Sequence, residues 1–506
     1  MLHSFISSVP MLIGATRFRR GAKPRIEKPA EECMGKWIWL AEADPVVNSY
    51  VRVRKSFKLS DKPDSALIKT CANSLYKLYI NGQYVGKGPV RSDERTGYFD
   101  TFDITQLLHK GANVVAILAH HIGEPTYASA AGRPGLICKL ESESQGETQI
   151  IGSDETWKIQ RAAEWLADGA RLNNKLGFQE IYDAAVAVAD WTEIKCKEKG
   201  WEDAAAVGAP GDSAFGELAP RQIPHLREQT VLPRSIVAIG NTAEVGKDTP
   251  VSEIPDIMAA TPIVNLRSGQ VKDEQALLTE AGVAHIKTPR GDKGVAILLD
   301  FGWEVFGNVE IGIAGSASGI IDLGYSEDII DGHIAPTLQD TKCTDRILIK
   351  KGALAWQSFE PRAFRYLQIE FRRCSKPVAL EYVRINQTTY AAERVGDFEC
   401  SDRLLNDIWA AGAYTTELCM QDTFIDCPWR EQAQWWTEAR ILSRAAYYAF
   451  NDTALLAQGL RQFASSQDKD GAVLALYPAG VEMSAPDLSL LWVYSILDYY
   501  AFSDDA

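Results

Sequence analysis

Several things are missing from this 506-residue chain. No apolar run reaches the length of a membrane-spanning helix, so no membrane partner is expected. There is no basic excess: the formal charge is −14, which argues against a polyanion, because phosphate binding draws on a cationic surface. Nucleic acid is therefore not an expected partner. The nine cysteines are odd in number and contain no Cys-x-x-Cys pair, a pattern that fits reduced thiols better than a disulfide framework. The seven histidines are dispersed, and only His120 and His121 adjoin. That pair closes the run NVVAILAHH, where alternate burial along a strand explains it more simply than metal ligation. Neither a metal nor a cofactor is expected. The opening segment 1–34 is mildly apolar, but its positive charges follow the apolar part, the reverse of a secretory signal. It is left unassigned to a domain, and a cytoplasmic location is expected.

The hydrophobic content of 46% and charged content of 24% are those of a globular protein. The length exceeds what one core supports, so several domains are expected. From Trp37 to about Leu140 the pattern is strands. LYKLYINGQYVGKG alternates and breaks at Asn81-Gly82, a favoured pair for a tight hairpin turn. Its glycines lack a following helix, so they read as turn residues and not as a phosphate loop. The stretch AAAVGAPGDSAFGELAPRQIPHL has little periodicity and reads as a linker or an ordered crossing. Strands then resume: Val309, Ile311 and Ile313 share one face, as do Leu367, Ile369 and Phe371.

The periodicity changes near Ser401. Leu404, Ile408, Ala411, Tyr414 and Leu418, widened by Leu405 and Trp409, mark an amphipathic helix. WTEARILSRAAYYAF is a second, DTALLAQGLRQFASSQ a third with Asp452 as N-cap, and PDLSLLWVYSILDYYAF a fourth with Pro486 in its first turn. The expected fold class is thus multidomain β + α: two jelly-roll-like β-sandwich domains (35–215 and 216–395) and a helical region (396–506).

The loop between the first two helices carries DCPWREQAQWW, Asp426 to Trp436. Carboxylates accept hydrogen bonds from sugar hydroxyls, and a tryptophan face covers the apolar side of a pyranose. A carboxyl group shielded by indole has its charged form disfavoured and can act as a general acid. Glycoside hydrolysis needs such an acid and a second carboxylate across the bond. The same residues also admit a plainer reading: Trp429, Trp435 and Trp436 as packing at a helix start, and Arg430 with Glu431 or Asp426 as a structural ion pair.

This segment resembles the signature of bacterial α-L-rhamnosidases, Asp-Cys-Pro-x-Arg-Asp-Glu-x-x-Gly-Trp-x-Gly-Asp-Ala. Upstream, YKLYINGQYVGKGP, DETWKI, EIYDA, LDFGWEVFGNVEIGIAG and SFEPRAFRYLQIEF resemble that family's accessory β-domains, in the expected order. The resemblance implies an inverting glycosidase whose site sits in an (α/α)6 toroid of paired helices, acting on a terminal deoxyhexose. Aligned without a gap, the family's acid falls on Gln432; with one residue missing after Arg430 it falls on Glu431, while Trp435 and Glu438-Ala439 also match. On that alignment Glu431 protonates the leaving oxygen, Asp426 and Arg430 bind hydroxyls or steady the acid, Trp435 and Trp436 contact the sugar, and Glu438 accepts a hydroxyl. Asp487 is a further candidate for the rim, or alternatively faces its own helix dipole. A full toroid needs on the order of 150–200 residues of helix. The resemblance therefore implies a partial toroid, a general base in a later part, and apolar faces at Leu490, Leu491, Trp492 and Ile496 left open. The other readings are a related six-hairpin hydrolase for another sugar and a non-catalytic carbohydrate-binding scaffold with a vestigial helical domain.

Overall fold

The computed structural model describes residues 34–503, apart from 42–45, 94, 266–269 and 316; nearly all of the opening segment lies outside the described residues. Two sheets face each other in the first part. One is built around Ser65–Asn73, Gly135–Ser144 and Thr96–Asp103, the other around Ser49–Leu59, Gly111–His121 and Leu75–Ile80. Ile38, Val53, Ile68, Leu78, Ile117, Leu140 and Trp157 fill the space between them. The hairpin turns at Asn81-Gly82, both with positive φ (51° and 84°), which is what a two-residue turn between twisted strands requires. Ile80 pairs with Gln83 across it.

The second part is one hydrogen-bonded sheet of 13 strands folded over on itself, not two separate sheets. Its axis is the 22-residue strand Lys293–Ala314, whose register breaks between Asp300 and Val305, where Gly302 takes φ +87°. The bend lets one strand pair with Arg362–Arg372 along most of its length and with Val378–Thr389 and Leu354–Gln357 in its second half. Val309, Ile311 and Ile313, and Leu367, Ile369 and Phe371, are all buried.

The two β parts are interleaved across the expected 215/216 boundary. Ile181–Asp183 joins the second sheet in parallel with the strand Thr344–Ile349, whereas Glu217–Pro220 returns to the first, in parallel with Thr96–Asp103. The stretch between them is an ordered crossing: Phe215 stacks on Trp37 with ring centroids 4.3 Å apart. His120 and His121 do not alternate; both are buried, because their strand is covered on both faces. His120 stacks on Tyr50 at 3.9 Å and reaches Asn48 Oδ1 at 3.0 Å.

A short helix, α1 (Ile254–Ala260), packs on the second sheet, and four more follow: α2 (Arg403–Cys419), α3 (Trp436–Phe450), α4 (Ala454–Ser465) and α5 (Pro486–Ser503). Asp402 caps α2 by accepting the Leu404 amide at 2.9 Å. Asp452 precedes the N-cap of α4, which is Thr453, yet still accepts the Leu455 amide at 3.1 Å. Trp436, Phe450, Leu455, Leu456 and Phe463 form the helical core. The stripe expected on α2 is only half used: Leu418 is buried, but Leu404, Leu405 and Ile408 face solvent. On α5, Leu490 and Ile496 are exposed, while Leu491 and Trp492 pack partly against the core.

Candidate active site

The segment between α2 and α3 is held by bonds that leave its tip inside the molecule. The Asp426 amide donates to the Ala433 carbonyl, and the Ala433 amide returns a bond to Asp426 Oδ1, both at 2.8 Å. Between these pins the chain reverses at Gln432, a non-glycine residue at φ +54°. Arg91, from the first β part, donates to the Gln432 carbonyl at 2.7 Å and pairs with Asp422 at 2.9 Å. Trp429 is buried on the second sheet, with its indole N–H toward the Leu338 carbonyl at 3.4 Å. Every neighbouring region therefore fixes the loop, which suits a site that needs preorganised groups.

Glu431 lies at the centre and is only 7% exposed. Trp435 Nε1 donates to its Oε2 at 2.8 Å, Lys175 Nζ to its Oε1 at 2.5 Å, and Arg430 Nε stands 3.2 Å from Oε1. Burial alone raises this carboxyl, but the Lys175 and Trp435 hydrogen bonds and the two cations outweigh it and hold it below the usual range. The expectation that indole shielding keeps Glu431 protonated is thus corrected: the Arg430 ion pair of the plainer reading is present, and the Lys175 ammonium, which was not anticipated, joins it. Glu438, in the first turn of α3, moves the other way. Burial, and then the charges of Asp426 and Glu431, raise its carboxyl. Burial likewise raises Asp426, whose Oδ2 accepts the Cys427 thiol at 3.1 Å.

The structure brings Asp426, Arg430, Glu431, Trp435 and Glu438 into one cluster. Trp435 is half-buried, edge-on to Tyr127 with centroids 6.0 Å apart. Trp436 does not join: it is 0% exposed, its ring packs on Phe463 at 4.4 Å and its N–H donates to Ser495 at 3.0 Å. Facing inward from the first turn of α3, it is a core residue and cannot touch a sugar. Asp487 is exposed in the first turn of α5, and no contact links it to Glu431. Lys175, Arg91 and Tyr127 were not anticipated. Nothing local marks them, since each lies far from the loop along the chain, Arg91 and Tyr127 in the first β part and Lys175 between two strands of the second sheet; only the pairing of chain segments reveals them. A cavity of about 610 Å³ lies behind the loop, between the β parts and the helices; Lys175 and Gln432 line it, but none of the five clustered residues does.

Comparison with known proteins gives a consistent result. Residues 61–226 match the α-L-rhamnosidase N-terminal domain, 291–386 the bacterial α-L-rhamnosidase concanavalin-like domain, and 393–506 the bacterial α-L-rhamnosidase 6 hairpin glycosidase domain. Two α-L-rhamnosidases of Formosa agariphila are 23% and 21% identical over 86% and 88% of this chain. The chain spans only 40% and 44% of their lengths. Among solved structures, the GH78 family rhamnosidase of Bacillus sp. GL1 superposes with a TM-score of 0.82 at 21% identity, covering 92% of this chain and 67% of that one. The Streptomyces avermitilis α-L-rhamnosidase complexed with L-rhamnose gives 0.66 at 18%, covering 90% and 41%. At these identities the structural likeness speaks for the fold.

Proposed function

The chain belongs to the bacterial α-L-rhamnosidase family, and we propose that it supplies the proton-donor side of an inverting glycosidase acting on terminal α-L-rhamnosides. The observation that carries this reading is the convergence of Asp426, Glu431, Trp435 and Glu438 on one partly enclosed spot. Glu431, fixed by the Trp435 indole, protonates the glycosidic oxygen as the C–O bond breaks. Trp435 walls the apolar side of the ring, and Arg430, Asp426 and Glu438 take hydroxyls. A carboxylate roughly 6.5–9.5 Å across the bond would activate water on the opposite face.

One observation favours a second assignment within the same reaction. Glu438 has the raised carboxyl and Glu431 the lowered one, which suits Glu438 as the resting acid and Glu431 as an electrostatic partner. Aryl α-L-rhamnosides with good and poor leaving groups separate the two. The substitution that removes the donor slows poor leaving groups far more than good ones. If Glu431→Gln leaves both classes unchanged while Glu438→Gln shows the split, the acid is Glu438. Binding of L-rhamnose without hydrolysis of any aryl glycoside would favour the carbohydrate-binding scaffold instead.

A further inference from the structure

Glu431 is paired with a cation from outside its own domain. Lys175 stands on an excursion between strands Trp165–Leu166 and Ile181–Asp183 that fastens three regions together. Asn173 Oδ1 accepts the amides of Lys175 and Leu176 at 2.8 and 2.9 Å, and Asn173 Nδ2 donates to the Arg430 carbonyl at 2.9 Å. The Lys175 carbonyl accepts the Tyr127 amide at 2.9 Å, and the Leu172 carbonyl accepts the Lys342 amide at 2.6 Å. This fastening already docks the excursion on the motif loop by uncharged groups. The Lys175 ammonium adds a charged contact to this docking, onto Glu431 Oε1, with the Tyr127 ring 5.7 Å beneath it.

The groups facing Glu431 are Lys175 from the excursion, Arg430, Asp426 and Trp435 from its own loop, and Glu438 from α3. Arg430 also faces Glu327 of the second β part, whose carboxyl is raised by burial and only partly drawn back by this cation. Asp426 and Glu438 oppose a charge on Glu431, whereas Lys175, the Trp435 N–H and Arg430 favour it. Arg430 is two-fifths exposed, whereas Lys175 makes the shorter contact.

We propose that Lys175 is a positioning residue of the β part that locks Glu431 as a carboxylate before substrate enters, and that an entering glycoside breaks this contact so that Glu431 can take a proton. The inference rests on Glu431 being the acid of the proposed reaction. The bond that breaks is Nζ–H···Oε1; the ammonium keeps its proton and withdraws into the adjoining cavity, and Glu431 gains its proton from solvent before passing it to the leaving oxygen. That cavity is also lined by Glu360, whose buried Oε1 accepts no hydrogen bond. The β part thereby gates the acid.

The experiment is a carboxyl-carbon NMR titration of the full chain with labelled glutamate, the Glu431 signal assigned by its loss in Glu431→Gln. Lys175→Met should move the Glu431 midpoint upward and Lys175→Arg should leave it low, each checked for folding by thermal melting; Lys175→Gln replaces Met if that variant fails to fold. Adding methyl α-L-rhamnoside should raise the midpoint in the parent chain and change it far less in Lys175→Met. The same midpoint in the parent chain and in the neutral variants overturns the proposal, and so does a rhamnoside that binds without moving the parent midpoint. A shifted midpoint with no rhamnoside binding at all leaves the lock standing and refutes the rhamnosidase reading alone.

Discussion

The strand-rich residues and the helical residues of this protein obey the same hydrophobic periodicity but with different results. In the β parts nearly every apolar position on an inward face is buried, and charges are buried with it: Arg362 forks onto Asp345 at 2.9 and 3.0 Å, Tyr325 donates to the same carboxylate at 2.8 Å, and Glu180 stands 3.6 Å from the guanidinium. In α2 and α3 the stripes are equally regular, yet Leu404 is 65% and Ile441 63% exposed, and on α5, which is apolar nearly all round, Leu490 is 64% exposed. A strand finds its partner through the ladder itself, whereas a helix buries a face only where another element lies on it. Periodicity therefore states which face is apolar and not whether anything covers it.

The comparison can be broken most strongly at the motif, where the two regions meet. Glu431→Gln should lower hydrolysis of α-L-rhamnosides with poor leaving groups by roughly 10²–10⁴-fold, measured as kcat/KM, with L-rhamnose binding retained. An equal loss of binding would place the residue in recognition alone.

Next come the two centres of packing. Arg362→Met strands two buried carboxylates and should cost about 3–5 kcal/mol. Trp436→Ala, the helical counterpart, should cost about 3–5 kcal/mol, both read by denaturant unfolding. Trp435→Ala should destabilise less and weaken rhamnose binding more. If the two tryptophans trade effects, the assignment of one to the core and the other to the site is wrong.

A smaller effect separates buried from exposed charge. Burial pushes the Glu360 carboxyl up to about 7, against about 4.3 in an unfolded chain. A raised carboxyl favours the native state while protonated there. Its contribution is complete below about pH 4.3 and is lost as pH rises toward 7. Glu360→Gln should therefore flatten the fall in melting temperature across that window; an unchanged slope would assign the titration elsewhere. The smallest effect belongs to the open helical face. Leu497→Lys, on α5 at an exposed position, should change stability by less than about 0.5 kcal/mol while lowering light scattering of concentrated protein. A larger loss of stability would mean that this face is covered in solution.

Much of the fold was legible because its signals are local. The Asn81-Gly82 turn, the alternation in Val309–Ile313 and the α3 boundaries all follow from two or three neighbouring residues and the period of their elements. What escaped involves distance along the chain. The wrapping of the second sheet depends on a bend at Gly302, and the interleaving of the two β parts on pairings more than a hundred residues apart. At the site, composition pointed to the loop and its acids, but it could not tell Trp435 from Trp436. Adjacent residues at a helix start point in different directions, and which one meets the core is fixed by where α4 and α5 lie.

The sequence by itself determined the elements, the family and the motif loop with its acids and indoles, since each is written within a short window or an ordered series of them. Only the tertiary structure decided what stands against Glu431. A carboxyl group responds to the charges within a few ångströms of it, and the ammonium group of Lys175 reaches it from 256 residues away in the chain.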